Sequence, residues 1–558
     1  MTNACRRVVF KAMSVWEKYQ IELHGQYSVE RLYQMKTYTE QTSRKWLVVV
    51  FAVSIVPCLL VNIGVECIPL RPITEGLGGS PTFYARSCIV LHFMGFLAFQ
   101  HYRQLIPELP SSLTQVCVMT SILALGTLFN EYLFARWIGY PVSFLVIAVA
   151  PTYMTLLLLN IGVWWGKFLR ANKDVFWELV HLQTVLTVIF SLAFAYPVYN
   201  FFFVHISPVY QPWFTMLLPV IKILAKNAVS PFCKYIEDYK PEAVIFNIEI
   251  FHAYFVSICM QSATSLRTTA LLMLMDLVHA WLSLRDISLI VDEIQTMRTK
   301  LTGKRQSQGL SEKQSRSLAD LPAHVLFLVK SDPKLLEVGN IRLQTRYAMQ
   351  GPTTAFLFKS LNAVVPTGAE RLTPSGQRIA TRLNSRWRTQ FDLTALQHNL
   401  PETEQRMLLQ TLDTNARAGY VANVLKLLHM VEFLVLIEFT EVIIPFVYSI
   451  YLYASFFLPN RVYHTQLRDV DEHELRRTLG YVLVYGALEL VSLLIFQVLI
   501  YRKIRISPAH QLAFVLEKQW TLVQLKLCVW FLFMIQFSVD HYGIDYTFKF
   551  AWLKHPYP

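Results

Sequence analysis

Apolar segments of about 20 residues recur along the whole 558-residue chain. A helix of that length crosses the hydrocarbon core of a bilayer, which is roughly 30 Å thick, at about 1.5 Å per residue. The chain is 54% hydrophobic and only 16% charged, whereas a soluble protein is about 25% charged. We therefore expect an all-α, polytopic transmembrane helix bundle. This composition excludes a disordered chain and argues against a soluble multidomain enzyme.

Eleven apolar segments are candidate membrane spans, and the count has a range of nine to eleven because two of them are weak. One weak segment, 87–100, is short. The other, 268–284, contains Asp276 and His279. The segments lie at 46–66, 87–100, 113–134, 141–164, 180–204, 213–230, 244–263, 268–284, 424–457, 479–501 and 520–539.

Lys and Arg are distributed unevenly over the pieces of chain between these segments. If the amino terminus is cytoplasmic, the cytoplasmic pieces hold about twice as many Lys and Arg as the external ones. If the segment at 87–100 alone did not cross, every later loop would lie on the opposite side of the membrane and this asymmetry would be lost. We therefore predict eleven spans, a cytoplasmic amino terminus and an external or lumenal carboxy terminus. The sequence does not specify which cellular membrane holds the protein.

The apolar pattern divides the chain into five parts. One of them, the region between spans 8 and 9, is basic and includes a polar stretch near 304–317 that is typical of a flexible linker. The parts are a basic leader with an amphipathic helix at 1–45, spans 1–8 at 46–291, a basic cytoplasmic domain at 292–422, spans 9–11 at 423–540 and an external tail at 541–558.

The cytoplasmic domain carries more than half of the net charge of +13. Within it, apolar residues recur every four positions with arginines around them, which is typical of a helix in the lipid headgroup plane or in a partner's groove. Packing of this helix on its own domain is the alternative. We expect the bilayer, with anionic headgroups at the cytoplasmic face, as a partner, and no nucleic acid. The predicted lipid- or partner-binding residues are Arg378, Arg382, Arg386, Trp387 and Arg388.

Ionisable residues inside the apolar segments give the strongest indication of function. A charge at the bilayer centre costs about 3 kcal/mol on insertion scales, so each should face the bundle interior or water. Five acids and two lysines lie in such positions, so pairing alone leaves acids over, and some should hold a proton or share a cation. Glu249 and Lys526 are two of the seven. The predicted intramembrane polar path consists of the others: Asp276, Glu438, Glu441, Glu489 and Lys222.

These charges favour a transporter or channel with an acidic path for protons or cations. The structural alternative is that they only neutralise one another as interhelical ion pairs. A second function is a non-enzymatic receptor or scaffold whose cytoplasmic domain binds anionic lipid or a protein partner. A lipid-modifying enzyme would require His279, His429 and Glu432 to converge, because no catalytic motif or metal-binding spacing is found. No catalytic residue, metal site or cofactor is predicted.

The sequence HYGIDYTFKFAWL at 541–553 follows directly after the last apolar segment. Together with the large basic cytoplasmic insert, it resembles the multi-pass membrane proteins expanded in oomycetes. The resemblance covers the overall layout of the chain and implies no assigned activity.

Overall fold

The computed structural model describes residues 19–207, 209–262, 266–302, 320–344, 405, 409, 413–536 and 538–544. Within these residues the chain is helical and forms no β-strand, apart from one isolated bridge between His464 and Val539. The prediction of an all-α fold is confirmed. The helices are α1 (Val29–Gln41), α2 (Arg44–Val53), α3 (Val56–Glu66), α4 (Pro81–Leu105), α5 (Leu113–Ile138), α6 (Leu145–Ala171), α7 (Lys173–His205), α8 (Gln211–Thr215), α9 (Leu217–Val229), α10 (Lys240–Ser262), α11 (Leu266–Thr302), α12 (Leu321–Ser331), α13 (Leu335–Val338), α14 (Thr414–Phe456), α15 (Glu472–Ile504), α16 (Pro508–Lys518) and α17 (Trp520–Gln536).

Seven helical stretches in the described part of the chain are long and apolar enough to cross a membrane, which is compatible with a multi-pass membrane protein. The weak segment predicted at 87–100 belongs to one of them, because α4 has 25 residues. The first stretch is interrupted between α2 and α3, just before Pro57, which lacks a backbone N–H. The seven are Arg44–Glu66, Pro81–Leu105, Leu113–Ile138, Leu145–Ala171, Lys173–Phe203, Trp213–Cys233 and Glu472–Ile504.

Large apolar side chains lie on the outer surface of these stretches. Leu60, Phe129, Val163 and Leu494 are each more than half exposed, although they belong to long apolar helices. An apolar surface of this extent suits hydrocarbon rather than water as the surrounding medium. The seven stretches therefore form an apolar outer layer that suits contact with lipid.

Three other helices, α10, α14 and α17, form the interior of the bundle. Nearly all described side chains of α10 and α17 are buried, as are most of those in the central part of α14. The 43-residue α14 packs against α3, α10, α11, α15 and α16. Its length is about 64 Å at 1.5 Å per residue, which exceeds the hydrocarbon thickness. Because these helices are largely surrounded by protein, they can carry ionised residues over most of their surface, whereas an outer helix such as α9 holds its buried lysines on the face turned towards the interior. Glu249 lies on α10 and Glu441 lies on α14.

The amino end of the bundle is held by a buried ion pair between α1 and α14. Arg31 Nη2 lies 2.7 and 2.8 Å from the two carboxylate oxygens of Glu432, and neither side chain is exposed. The Tyr27 hydroxyl donates to the same carboxylate, and Gln511 donates to that hydroxyl. Burial is the largest single influence and acts to lower the pKa of Arg31, but the Glu432 carboxylate together with Tyr27 and Asp238 raises that pKa above its ordinary value. The guanidinium therefore stays charged.

Part of the predicted cytoplasmic domain packs at this amino end. In α12, every side chain from Leu321 to Val329 is buried. The backbone N–H groups of Val29 and Glu30 donate to the carbonyl oxygens of Arg342 and Leu343 at 3.0 Å each. The described residues 320–344 therefore pack together with α1.

A second buried ion pair holds the opposite, carboxy end. Arg86 Nη2 of α4 lies 2.6 Å from Oε1 of Glu66, the last residue of α3. His464 Nε2 lies 2.9 Å from the other oxygen of Glu66, and its Nδ1 lies 2.9 Å from the Ser538 hydroxyl. One carboxylate thus joins α3 and α4 to the segments that follow α14 and α17.

The first residues of the predicted tail pack on this carboxy end. His541 stacks on Phe83 at 5.6 Å, and its Nε2 lies 2.8 Å from the carbonyl oxygen of Arg71, so this nitrogen carries the hydrogen. Gly543 has a φ of +62°, and a Cβ at this position would collide with the carbonyl oxygen of Val142. Both observations require glycine at the position.

We expect Arg31→Met to lower the free energy of unfolding by about 3 to 5 kcal/mol, because it leaves the Glu432 carboxylate buried without its cation. Lys36→Met on the same helix is the control. Lys36 pairs with Glu40 and Asp320, which are about half exposed, and such pairs contribute about 1 kcal/mol or less. Denaturant unfolding in detergent micelles measures both costs. Equal costs for the two variants would contradict the assigned role of Arg31.

Burial lowers the pKa of His541 to about 4, so the folded protein holds a neutral imidazole. The pKa of an unfolded histidine is about 6.5, so protonation favours the unfolded state as the pH falls from 6.5 to 4. His541→Phe cannot take up this proton. We expect the stability advantage of the wild type over His541→Phe to be constant above about pH 7 and to shrink by on the order of 3 kcal/mol at pH 4. The expectation is wrong if the unfolding free energies of the wild type and His541→Phe differ by the same amount at every pH.

Candidate functional site

Two lysines on α9 and one glutamate on α10 form the centre of a buried charged cluster. Lys222 and Lys226 are four residues apart, so they lie on the same face of α9. Lys226 Nζ lies 2.6 Å from Glu249 Oε1, and Lys222 Nζ lies 3.3 Å from Glu249 Oε2. One carboxylate therefore contacts two ammonium groups, one on each oxygen.

Each lysine also contacts a second carboxylate, which extends the cluster in two directions. Lys222 donates to Glu441 Oε1 on α14 at 3.1 Å. Lys226 donates at 3.1 Å to Oε1 of Glu22, which belongs to the short 3₁₀ turn Ile21–Leu23. We call the ordered set Glu22, Lys226, Glu249, Lys222 and Glu441 the ion-pair chain.

The ion-pair chain is shielded from solvent throughout, since none of its side chains is more than 7% exposed. Such burial costs several kcal/mol per ion and is offset only by close contacts with opposite charge. Burial is the largest single influence and acts to raise the pKa of Glu22, but the Lys226 ammonium together with His279 and a backbone hydrogen bond brings this pKa below its ordinary value. Within the ion-pair chain, three carboxylates face two ammonium groups, so one carboxylate is in excess.

A small cavity lies at each end of the ion-pair chain. The first has a volume of about 20 Å³ and is lined by Glu22 and Lys226. The second has a similar volume, also about 20 Å³, and is lined by Glu438 and Glu441. Each volume admits a single water molecule. His279 of α11 lines both cavities, so it lies beside the ion-pair chain, between the two cavities.

The structure brings three residues of the predicted polar path together. Lys222 contacts Glu441, and Glu438 lies three residues before Glu441 and lines the same cavity. Glu438 accepts a hydrogen bond from the Ser492 hydroxyl of α15 at 2.9 Å. Glu489 is 3% exposed and lies one turn from Ser492 on the same helix. This residue is therefore buried near the middle of α15.

The remaining predicted site residues are not covered by the described part of the chain. Asp276 belongs to α11, but its side chain lies outside the described residues. The linker near 304–317 also lies outside them. The same is true of the predicted lipid- or partner-binding residues Arg378, Arg382, Arg386, Trp387 and Arg388.

Sequence reasoning misses two members of the ion-pair chain. Lys226 has a local signal, because it follows Lys222 by four residues within an apolar segment. Glu22 has none, because its partner Lys226 is 204 positions away along the chain. Glu249 is recognisable as a buried acid, but its place between two lysines depends on how α9 packs against α10.

Ion pairing accounts for much of the buried charge, as the structural alternative requires. Besides the contacts of Lys222, an ammonium–carboxylate contact joins Lys526 of α17 to Glu242 of α10. Both lysines of the sequence-based set therefore have acidic partners. The distinguishing feature of the ion-pair chain is that cavities lined by its own carboxylates lie at both ends.

Two of the three residues that a lipid-modifying enzyme would need share a neighbour, because Tyr27 donates to Glu432 and packs edge-on to His429. The third, His279, lines the cavities beside the ion-pair chain. Among the described residues, no group of three His, Cys, Asp or Glu side chains has the arrangement of a metal site.

We expect Lys226→Met to lower the free energy of unfolding by about 3 to 5 kcal/mol, because Glu22 loses its cation and Glu249 keeps only one. Lys167→Met is the matched control, since Lys167 is exposed on α6 and such a substitution changes stability by about 0.5 kcal/mol or less. Denaturant titration of the protein in micelles provides the measurement. A negligible cost for Lys226→Met would mean that the ion-pair chain does not stabilise the bundle.

Comparison with known proteins places no further constraint on this site. No family model, no curated protein and no solved structure matches the chain.

Proposed function

We propose that the chain is a multi-pass membrane protein that moves protons or cations along an acidic path, as a transporter or channel. The observation that carries this proposal is the ion-pair chain, which connects two water-sized cavities through side chains from the 3₁₀ turn, α9, α10 and α14. Ion pairs that serve packing alone do not require water at their ends. The surplus carboxylate also supplies a position where a proton or cation can bind.

Uptake takes place at Glu438 and Glu441, which line one cavity three residues apart on α14. Two carboxylates in a low-dielectric site do not both remain ionised at low cost, so a proton or cation shared between them is favoured. A water molecule in the cavity delivers the proton. Once Glu441 is protonated, its attraction for Lys222 is lost, and the Lys222 ammonium is left with Glu249.

Protonation of Glu441 also changes the packing of α14. Pro445 lies four residues after Glu441 inside the helix and has no N–H to donate to the Glu441 carbonyl. The backbone of α14 is therefore weakest in the turn that holds the proton-binding side chain. When the contact between Lys222 and Glu441 is released, α14 moves relative to α9 at this turn.

The proposal includes eleven membrane crossings and a cytoplasmic amino terminus, with an external or lumenal carboxy terminus. The two ends of the bundle support it, because Arg31 and Glu432 meet at one end and Glu66 and His464 meet at the other. The chain thus passes between the ends from 31 to 66 and again from 432 to 464. Helices α10, α11, α14 and α17 supply the crossings beyond the seven lipid-facing stretches. The basic region 292–422 is the cytoplasmic domain, in accord with the distribution of Lys and Arg.

The alternative function, a non-enzymatic receptor or scaffold, depends on the predicted basic helix around Trp387. Binding of that helix to anionic headgroups or to a protein partner stays a prediction from the sequence. Such binding at the cytoplasmic face is compatible with transport through the bundle.

Flux through the reconstituted protein tests the proposal. Liposomes that contain the protein and an internal pH-sensitive dye are given a potassium diffusion potential with valinomycin, and the rate of the internal pH change is recorded. We expect the wild-type protein to give a faster pH change than empty liposomes. Glu441→Gln and Glu438→Gln should each slow this change at least tenfold, because a glutamine amide binds no proton near neutral pH. Parallel assays with Na⁺ and K⁺ indicators identify cation flux.

Glu178→Gln is the control, since it removes a buried carboxylate on α7 that does not belong to the ion-pair chain or its cavities. Its flux should equal that of the wild type. The proposal is wrong if the wild-type protein passes neither protons nor cations faster than empty liposomes. It is equally wrong if Glu441→Gln and Glu438→Gln fold normally and retain the full flux.

A further inference from the structure

A larger cavity lies between α4, α5, α6, α7 and α17, towards the carboxy end of the bundle. Its volume is about 60 Å³. A cavity of about 10 to 15 Å³ holds one water molecule, which has one non-hydrogen atom. This cavity therefore has room for about four or five non-hydrogen atoms. None of its lining residues belongs to the ion-pair chain. The cavity is therefore a separate candidate site.

Two hydrogen-bond acceptors at this cavity distinguish it from an ordinary packing void. Glu131 of α5 is 2% exposed and accepts a hydrogen bond from the Ser87 hydroxyl at 2.7 Å. The Gln536 side chain donates through Nε2 to the carbonyl oxygen of Leu532 at 3.2 Å, which fixes the orientation of its amide. Its Oε1 is buried, and no donor among the described residues reaches it. A carboxylate and an amide oxygen at one cavity call for a ligand that donates hydrogen bonds.

The rest of the lining is largely apolar and includes the aromatic side chains of Tyr153, Phe190 and Phe533. Phe190 and Phe533 pack edge to face at 5.7 Å. Such a wall packs favourably against hydrocarbon. An ammonium group therefore satisfies the carboxylate and the amide oxygen, and a short hydrocarbon chain attached to it fills the apolar part of the cavity, which a water molecule leaves unfilled.

We propose that this cavity is a binding site for a small primary alkylammonium ion, with its nitrogen at Glu131 and Gln536 and its hydrocarbon chain against the aromatic wall. The cavity volume limits the ligand to about three or four carbon atoms in addition to the nitrogen. The Glu131 carboxylate supplies the opposite charge, and Gln536 Oε1 accepts an N–H bond. This assignment goes beyond the proposed transport function and shares no residue with it, so either can fail alone.

Ligand-dependent thermal unfolding of the full chain in lipid nanodiscs at pH 7 tests the site, with n-butylammonium as the probe. A ligand that binds only the folded state raises the midpoint with its concentration. We expect a saturable rise for the wild type. Glu131→Gln preserves the shape of the side chain and a partner for Ser87, so it should fold, but it should need at least ten times more n-butylammonium for the same rise.

Two probes of matched size separate the parts of the assignment. Tetramethylammonium has the same number of non-hydrogen atoms but no N–H donor, and n-butanol has a donor but no charge. Each should bind at least tenfold more weakly than n-butylammonium. The proposal is overturned if the wild type shows no saturable rise, if Glu131→Gln responds like the wild type, or if either matched probe equals n-butylammonium.

Val90→Phe fills the cavity from α4 without removing a polar group. It should abolish the rise, and a wild-type response from this variant would place the ligand elsewhere and contradict the proposal. If Val90→Phe does not fold, the comparison between wild type and Glu131→Gln decides alone.

Discussion

An ionised side chain inside a bilayer is tolerated only where protein or water, and not lipid, surrounds it. The architecture of this chain follows from that constraint. Its lipid-facing helices expose residues such as Leu60, Val163 and Leu494, whereas α10 and α14 carry Glu249 and Glu441 in the interior. The charged parts of the inner helices are buried, so their charges meet partners across helix interfaces. The outer helices contribute charges too, such as the two lysines of α9, which contact carboxylates in the interior.

The sequence predicts the helices well because apolar length is a local property. Each of the eleven apolar segments overlaps a described helix over most of its length, and the short segment at 87–100 lies within the 25-residue α4. Its apolar pattern is shortened by Arg86, which the structure buries against Glu66. A hydropathy pattern places the end of a span at such an arginine, because the sequence does not show that a carboxylate will neutralise it in the folded protein.

The candidate site is only partly predictable for the same reason. The buried positions of Lys222, Glu438 and Glu441 follow from their places in apolar segments, and two of them form an ion pair. The roles of Glu22 and Lys226 depend on contacts between residues far apart in sequence. No periodicity or spacing encodes such contacts.

The pairing of Arg31 with Glu432 has a consequence for biosynthesis. The two residues are 401 positions apart, so the amino-terminal arginine leaves the ribosome long before its counter-ion. Because α1 precedes the first membrane helix, Arg31 remains hydrated in the aqueous phase while the intervening helices are inserted. Its desolvation is deferred until α14 is made. Closure of the amino end is therefore a late event in the maturation of the protein, and a truncated nascent chain that stops before α14 has no means of completing it.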